Sequence, residues 1–212
     1  MDYGGLIEAL RAPECRWRAP APHAVLRLHG PDTVEFLHRL CTQDVESMRT
    51  GEVQRAAFLT GKGKVVATGT LVRTDDAVWV ETTAGQLDAL AELLERYHFT
   101  EQLTIERPEW GCGEVWGADA LSRTGLEAGR GRPLEGGGLV LASARRGFVW
   151  VRYHAPTLEP APWRDWSGEE LAGPIADCLR IAAGLVEVGA DTDGTTPVSY
   201  THLRAHETPL HL

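Results

Sequence analysis

Apolar and polar positions show two different periodicities in the first half of the chain, one typical of strands and one typical of helices. Strand-like runs rich in β-branched and apolar residues cover residues 24–29, 54–59, 64–73, 77–81 and 103–105. Helical spacing occurs after the first run, where Val34, Leu37 and Cys41 lie three and four residues apart, and again over residues 87–97. The order β-α-β-β-β-α-β, with hairpins instead of regular βαβ units, predicts an α+β fold built on a mixed, largely antiparallel sheet with packed helices.

The pattern changes after residue 105. Residues 106–165 are rich in Gly, Pro and Trp, and short apolar runs at residues 113–116, 139–142 and 148–153 predict a smaller β-rich second lobe. Ser167 and Glu170 then have the spacing of a capping box, which predicts the start of a helix. Its apolar positions share one predicted face, and Gly184 ends it: Leu171, Ile175, Cys178, Leu179 and Ala182.

These shifts divide the chain into a lead-in of residues 1–22, a first lobe of residues 23–105, a second lobe of residues 106–165, and a returning helix and connection at residues 166–196. The lead-in has a short apolar start and is then rich in Pro and Arg, which predicts a short helix followed by irregular structure. Residues 197–212 read PVSYTHLRAHETPLHL and resemble the translation of a transposon-based sequencing adapter. We interpret them as an artefact and exclude them from fold reasoning. The His202 and His206 pair inside this segment is therefore not interpreted as half of a metal site.

Charge and composition narrow the function classes. The net charge of −9 argues against broad binding to nucleic acid. No apolar run approaches the ~18 residues of a membrane helix, and the first ten residues lack the basic region of a signal peptide. We therefore expect a cytoplasmic protein without a membrane partner. The four widely spaced cysteines, which form no CxxC pair, are interpreted as buried small hydrophobes: Cys15, Cys41, Cys112 and Cys178.

Lysine is rare in this chain. Of its 21 basic residues, only Lys62 and Lys64 are lysines, and they flank Gly63 in a predicted turn. They are either a chance pair in a solvated turn or cations kept for an anionic ligand. The string lacks the spacing of a Walker phosphate loop, so nucleotide hydrolysis is not expected.

Five ordered blocks resemble the YgfZ and aminomethyltransferase superfamily over residues 24–196. They are Gly30-Pro31-Asp32 with Phe36-Leu37 and Thr42-Gln43-Asp44, then Leu59-Thr60-Gly61-Lys62-Gly63-Lys64, Leu94-Glu95-Arg96-Tyr97, Arg180-Ile181-Ala182-Ala183-Gly184 and Gly189-Ala190-Asp191. The resemblance implies a GcvT-like folate-binding domain whose ligand is tetrahydrofolate or a derivative. The family's Lys-Gly-Cys-Tyr-x-Gly-Gln-Glu motif and C-terminal barrel are absent from the sequence, and the adapter-like residues stand where they would begin. We interpret the chain as an N-terminal fragment.

A folate site needs polar contacts for the pterin and cations near the glutamate carboxylates. The resemblance suggests Lys62, Lys64 and Arg180 as the cations, and Thr42 and Asp44 as polar contacts. Two alternatives stay open: residues 42–44 form only a local cap and turn after a helix, and Arg180 forms only a partly buried ion pair. We predict no metal ligands.

Aminomethyltransferases carry acidic residues just after a Gly-Gly-Ile-Ile segment. Aligning residues 63–66 with that segment puts Ala67 and Thr68 at the acidic positions. Alanine cannot accept a proton, so we predict no catalytic residues and favour the YgfZ branch over an enzyme. The resemblance then implies an accessory protein for iron–sulfur cluster assembly or repair and for iron–sulfur-dependent tRNA modification. Its partners would be iron–sulfur enzymes or assembly proteins, with no direct nucleic-acid contact. The alternative is an aminomethyltransferase like the glycine cleavage T-protein.

Overall fold

A computed structural model describes residues 14–159, 161, 166, 168–192 and 195. The helix predicted near the start of the lead-in, Ser167 and the adapter-like residues lie outside these ranges. The described strands are β1 Arg16–Arg18, β2 His23–His29, β3 Val53–Leu59, β4 Val65–Arg73, β5 Val78–Thr83, β6 Thr104–Glu106, β7 Gly111–Trp116, β8 Arg130–Pro133, β9 Leu139–Arg145, β10 Phe148–Ala155 and β11 Glu169–Glu170. The described helices are α1 Thr33–Leu40, α2 Leu87–Tyr97, α3 Asp119–Thr124 and α4 Gly173–Ala182.

The first sheet has the order β3-β4-β5-β2-β6, and all its neighbours are antiparallel. The period of two along β4 sends Ala67 and Leu71 into the core beneath the helices, while Thr68 and Val72 point to the opposite face. Helices α1 and α2 cover the apolar face with residues such as Phe36. The predicted α+β fold with a largely antiparallel sheet is confirmed.

The second sheet has the order β11-β1-β7-β10-β9-β8. Its pairs are antiparallel except for β1 with β11. Strand β1 was not predicted from the sequence, because the Pro- and Arg-rich lead-in indicated irregular structure there. On one face, Trp116 and Trp150 pack against α4, with their ring centroids 5.2 Å apart. On the other face, Ala120 of α3 joins a separate core with Val151.

The two sheets face each other and are joined at one corner by backbone hydrogen bonds. The Val53 N–H donates to the Gly129 carbonyl at 2.9 Å, and the Gly131 N–H donates to the Gly51 carbonyl at 2.9 Å. Side chains from both sheets share the core between them: Val25, Val53, Val72, Ala77, Trp79, Leu139 and Leu141. This core fills one part of the space between the sheets, and the rest of that space is polar.

Two details of the returning segment correct the sequence interpretation. Glu170 is paired with Trp17 in the β1–β11 bridge, and α4 begins at Gly173, with a proline in its first turn. Strand pairing therefore prevails over the local capping signal. The predicted face is also wrong in part, because Ile175 is 40% exposed while Ala176, Leu179 and Ala183 are buried against the tryptophans.

The cysteines follow the prediction only in part. Cys15 and Cys112 are buried, Cys41 is half-buried, and Cys178 is exposed on the outer side of α4. The prediction of a buried hydrophobe was thus wrong for Cys178, because the packing of α4 turns that position outward. All four thiols are free. Among the described residues, no helix has the length and hydropathy needed to cross a membrane.

Candidate functional site

A network of charged side chains lies buried between the sheets, with Arg152 at its centre. The Arg152 Nε donates to Glu114 Oε1 at 2.8 Å, and its Nη1 donates to Glu81 Oε2 at 2.8 Å. Arg18 Nε donates to the second oxygen of Glu114 at 2.7 Å, and His154 Nε2 lies 2.8 Å from Glu81 Oε1. Glu81 and Glu114 are 1% and 0% exposed, so every oxygen of these two carboxylates is held by a cation or an imidazole.

Pairing with arginine sets the acidity of both carboxyl groups. Burial alone would raise the pKa of Glu81, but the Arg152 guanidinium, followed by His154, outweighs it and holds that pKa far below the usual range. The pKa of Glu114 is lowered in the same way, with Arg152 again opposing the effect of burial. Carboxylates this acidic stay ionised and are poor proton acceptors at neutral pH.

Cys112, His154 and Glu81 resemble a nucleophile, base and acid, but their geometry does not allow a relay. His154 Nε2 is 3.8 Å from Cys112 Sγ and also faces Glu81, whereas a relay uses both ring nitrogens. The Nδ1 of His154 is buried without a partner in the described part of the chain. Burial, followed by the nearby Glu81 charge, raises the pKa of Cys112 well above its ordinary value. We therefore interpret this thiol as structural.

A small cavity lies at the polar end of the space between the sheets. Its volume is about 50 Å³, which admits water-sized molecules but not a bicyclic ring. The segment after α4 closes one side, because Thr68 Oγ1 donates to the Val186 carbonyl at 3.1 Å. The cavity is lined by His23, Arg55, Thr68, Gly69, Thr70, Glu81, Thr82, Thr83, Trp150, Arg152, Arg180, Leu185, Val186 and Glu187.

A larger cleft of about 580 Å³ adjoins the small cavity, and Arg55 and Trp150 line both. This volume falls within the range of ~300–1,000 Å³ that is usual for small-molecule sites. The cleft runs between β3 and β9 and is lined by Gln43, Val53, Gln54, Arg55, Ala128, Gly129, Ser143, Ala144, Arg145 and Trp150. No carboxylate is among these lining residues.

Thr42 and its neighbour Gln43 have different roles. The Thr42 N–H donates to the Ala57 carbonyl at 3.0 Å, and the Ala57 N–H donates to Thr42 Oγ1 at 3.0 Å. These bonds tie the end of α1 to β3. Thr42 lines neither cavity, whereas Gln43 lines the larger cleft. The folate contact predicted for Thr42 stays a prediction.

Asp44 makes the contacts of a local turn. Its Oδ1 accepts from the Ser47 N–H at 3.2 Å and lies 3.3 Å from His38 Nδ1. Potential metal-ligand atoms lie within 4.8 Å of one another on His38, Asp44 and Glu46. The Asp44 carboxylate is already engaged by the Ser47 N–H and by His38. Asp44 lines neither cavity, so its predicted folate contact also stays a prediction.

Lys62 and Lys64 are exposed on the turn between β3 and β4. Their backbone N–H groups donate to Thr60 Oγ1 at 3.4 and 3.2 Å, which shapes the turn through the threonine hydroxyl. Neither lysine lines the small cavity or the larger cleft. The structure therefore does not bring these two lysines together with Arg180.

Arg180 is the one predicted site residue that the structure places at the small cavity. Its guanidinium donates to Asp191 at 2.5 and 3.1 Å and to the Leu185 carbonyl at 2.7 Å. Its Nε also lies 3.5 Å from Glu187. The ion-pair alternative for Arg180 is thus realised in the structure, and a ligand contact by the same residue stays a prediction.

Sequence reasoning missed the interior polar residues. Arg55, Thr70 and Glu81 form a cross-strand row, since Arg55 pairs with Thr70 and Thr70 pairs with Glu81. A signal was present in the polar residues at alternate positions of otherwise apolar strands, which is unusual for a face packed on a second layer. Their partners on β7 and β10 could not be inferred from local pattern.

Residues 23–123 match the family described as GCVT N-terminal domain. This range runs from β2 into α3 and supplies one side of both cavities. The fold resembles that of the glycine cleavage system aminomethyltransferase T from Bartonella henselae, with a TM-score of 0.78 and 20% sequence identity. The likeness covers 89% of this chain and 56% of that one, so this chain spans little more than half the length of that protein. It shows the fold and confirms the GcvT-like architecture.

A second structure is more distantly similar. Heterotetrameric sarcosine oxidase from Corynebacterium sp. U-96, in complex with pyrrole 2-carboxylate, aligns with a TM-score of 0.44 and 15% identity over 79% of this chain and 96% of that one. That likeness is too weak to argue from. No curated protein matches this chain in sequence.

Proposed function

We propose that this chain binds tetrahydrofolate or a derivative between its two sheets and does not transfer a one-carbon group from it. The observation that carries this proposal is the position of Thr68. Of the two residues aligned with the acidic positions of aminomethyltransferases, Ala67 lies in the helix-side core and only Thr68 faces the small cavity. A threonine hydroxyl does not act as a base at neutral pH, and this one donates to the Val186 carbonyl.

No other interior carboxylate of the described residues replaces the missing acid. Glu81 and Glu114 are both held by Arg152, and Glu187 lies 3.5 Å from Arg180. Arginine neutralises these carboxylates and keeps the first two strongly acidic. The interior is therefore suited to holding a polar ligand rather than to moving protons on it.

The larger cleft fits the chemistry of a folate. It offers the flat indole of Trp150, the hydroxyl of Ser143 and the guanidinium of Arg55. An aromatic surface with a few polar groups and a cation is what a flat, hydrogen-bonding, anionic ligand requires. The small cavity beside it is too small for the pterin, so we assign the ligand to the cleft.

The accessory role is the finer part of the proposal. We infer from the resemblance to the YgfZ branch that the folate site serves iron–sulfur cluster assembly or repair and iron–sulfur-dependent tRNA modification. In cells lacking the gene, the tRNA nucleosides made by iron–sulfur enzymes should decrease, as measured by mass spectrometry. Unchanged nucleosides and unchanged iron–sulfur enzyme activities in those cells would remove this role and leave only folate binding.

The folate site itself is tested by calorimetric titration of the purified chain with tetrahydrofolate. Ser143→Trp, which fills the cleft, should abolish the heat of binding. Ser122→Trp makes the same change on the exposed surface of α3 and should leave binding intact. No heat from well-folded wild-type protein would reject folate binding. Methylene transfer to tetrahydrofolate from an aminomethyl-loaded carrier protein would instead establish the aminomethyltransferase alternative.

A further inference from the structure

The larger cleft carries the positive charge of two arginines, Arg55 and Arg145. The chain as a whole has a net charge of −9, yet Arg55 and Arg145 both line the cleft and no carboxylate does. No ion pair joins either arginine to an acidic residue within the described ranges. In a protein with an excess of acids, two arginines without acidic partners in one cleft indicate an anionic ligand.

Arg55 is the more informative of the two arginines. Its Nη1 is buried and has no hydrogen-bond partner among the described residues. The carboxylate in its cross-strand row, Glu81, is already held by Arg152 and His154. Burial, followed by the charges of Arg145 and Arg152, lowers the pKa of Arg55 to about 10. A buried donor without a partner is costly, and such groups call for a functional explanation.

We propose that Arg55 and Arg145 bind the glutamate carboxylates of the folate tail in the cleft between β3 and β9. This inference rests on the proposed function and names the part of the ligand that the cleft recognises. Two guanidinium groups match two carboxylates, and each can donate two parallel hydrogen bonds to a planar carboxylate. The tail then lies between the arginines, and the pterin end extends toward Trp150, which the cleft shares with the small cavity.

The test compares tetrahydrofolate with tetrahydropteroate, which lacks the glutamate, by calorimetric titration of the full chain. Wild-type protein should bind tetrahydrofolate about 10- to 100-fold more tightly, the range expected for charge-assisted hydrogen bonds. Arg55→Gln and Arg145→Gln should each reduce this ratio by weakening tetrahydrofolate alone. Arg96→Gln removes the same charge from the exposed surface of α2 and should preserve the ratio.

A second measurement separates ligand binding from a structural role of Arg55. Because Arg55→Gln removes a largely buried charge that forms no ion pair with the described residues, the unliganded variant should melt at the same or a higher temperature than wild type. If Arg55→Gln instead melts lower and loses both ligands equally, its role is structural and the proposal fails. A folded Arg145→Gln variant that keeps the full ratio would also overturn it.

The remaining outcomes distinguish this inference from the proposed function. Equal binding of the two ligands by wild type would reject the tail contact and leave folate binding in place. If neither pterin ligand binds, folate binding fails, and p-aminobenzoylglutamate then tests the cleft alone. Arg55-dependent binding of p-aminobenzoylglutamate would support the tail site. If p-aminobenzoylglutamate does not bind either, both folate binding and the tail site are rejected. Inorganic phosphate that competes as well as p-aminobenzoylglutamate would show a general anion site and reject the carboxylate assignment.

Discussion

Arg152 shows how one residue organises the space between the sheets. Its guanidinium contacts Glu81 of the first sheet and Glu114 of the second, so a single side chain links both layers. Buried ion pairs often add little to stability compared with apolar packing, but removing one partner leaves an uncompensated charge. Replacing Arg152 should therefore lower the stability of the protein, whereas replacing Arg55 should leave it unchanged or raise it.

Arg152→Met is expected to lower the free energy of unfolding by about 3–5 kcal/mol, because it leaves two buried carboxylates without their shared cation. Urea denaturation measures this loss. Arg107→Met is the control, since Arg107 pairs with the exposed Asp88 and exposed pairs contribute at most about 1 kcal/mol. If the two variants lose equal stability, the interior network contributes no more to stability than an exposed ion pair does.

His23 should make the protein sensitive to mild acid. Its side chain is buried 3.6 Å from Glu114, and burial followed by the Arg152 charge lowers the pKa of His23 below its usual value. The unfolded chain therefore takes up a proton near pH 6.5 that the folded protein resists, so stability is complete above that pH and falls as the pH drops below it. Glu81 acts in the same direction at lower pH, because its folded pKa is also lowered.

Thermal melts of wild type and His23→Gln between pH 7.5 and 5 isolate the contribution of His23. The melting temperature of wild type should fall more steeply below about pH 6.5 than that of the variant. Parallel curves for wild type and His23→Gln would mean that this histidine is not titrating on unfolding.

At the scale of the elements, local pattern predicted the first sheet well. The expected strand at residues 54–59 and the expected helix ending near Leu40 agree with β3 and α1 to within about a residue, because alternation and helical spacing are local properties. Strand β1 was missed, since its short Arg-rich segment is a strand only through pairing with β7 and β11.

The candidate site could not be predicted in the same way. The Arg152–Glu81 bond joins residues 71 positions apart, and the Arg152–Glu114 bond joins residues 38 apart on different strands. Of the five predicted site residues only Arg180 reaches the small cavity, because motif similarity marks positions in the sequence and does not show which face of a strand or turn they occupy. The face of Thr68, by contrast, follows from the period of two in β4.

The packing of β8 on the first sheet gives an element-scale prediction. A Cβ at Gly131 would lie 2.8 Å from Val72 Cγ1 and 3.0 Å from the Val140 carbonyl oxygen. Gly131→Ala should therefore destabilise the protein by about 1–3 kcal/mol in urea denaturation. Gly85→Ala is the matched control, since nothing lies within 4 Å of its added Cβ, and it should be neutral.

Val72→Ala in the Gly131→Ala background should recover part of the loss, because it removes one of the atoms that the new methyl group meets. If Gly131→Ala is as stable as Gly85→Ala, the two sheets do not approach each other as closely at this corner as the structure places them.

At the scale of the whole molecule, the two sheets divide the space between them into an apolar part and a polar part. The apolar core joins the layers beside the β3–β8 corner, and the polar part holds the network, the small cavity and the cleft. Because the cleft is lined by β3 from one sheet and by β9 and β10 from the other, a ligand bound in it contacts both layers. Its binding should stabilise the arrangement of the sheets and not only one loop.

Hydrogen exchange tests this expectation. With tetrahydrofolate at about 100 times its dissociation constant, mass action should add about 2.7 kcal/mol to stability, and exchange should slow in β3 and β9 more than in α2, which covers the opposite face of the first sheet. Ser143→Trp should abolish the added protection in both strands. Slowing confined to one sheet would place the ligand outside the cleft, on a surface that belongs to a single layer, even if the calorimetric affinity were high. Slowing in both sheets that disappears with Ser143→Trp would locate the folate between them, where the buried Nη1 of Arg55 has no hydrogen-bond partner among the described residues.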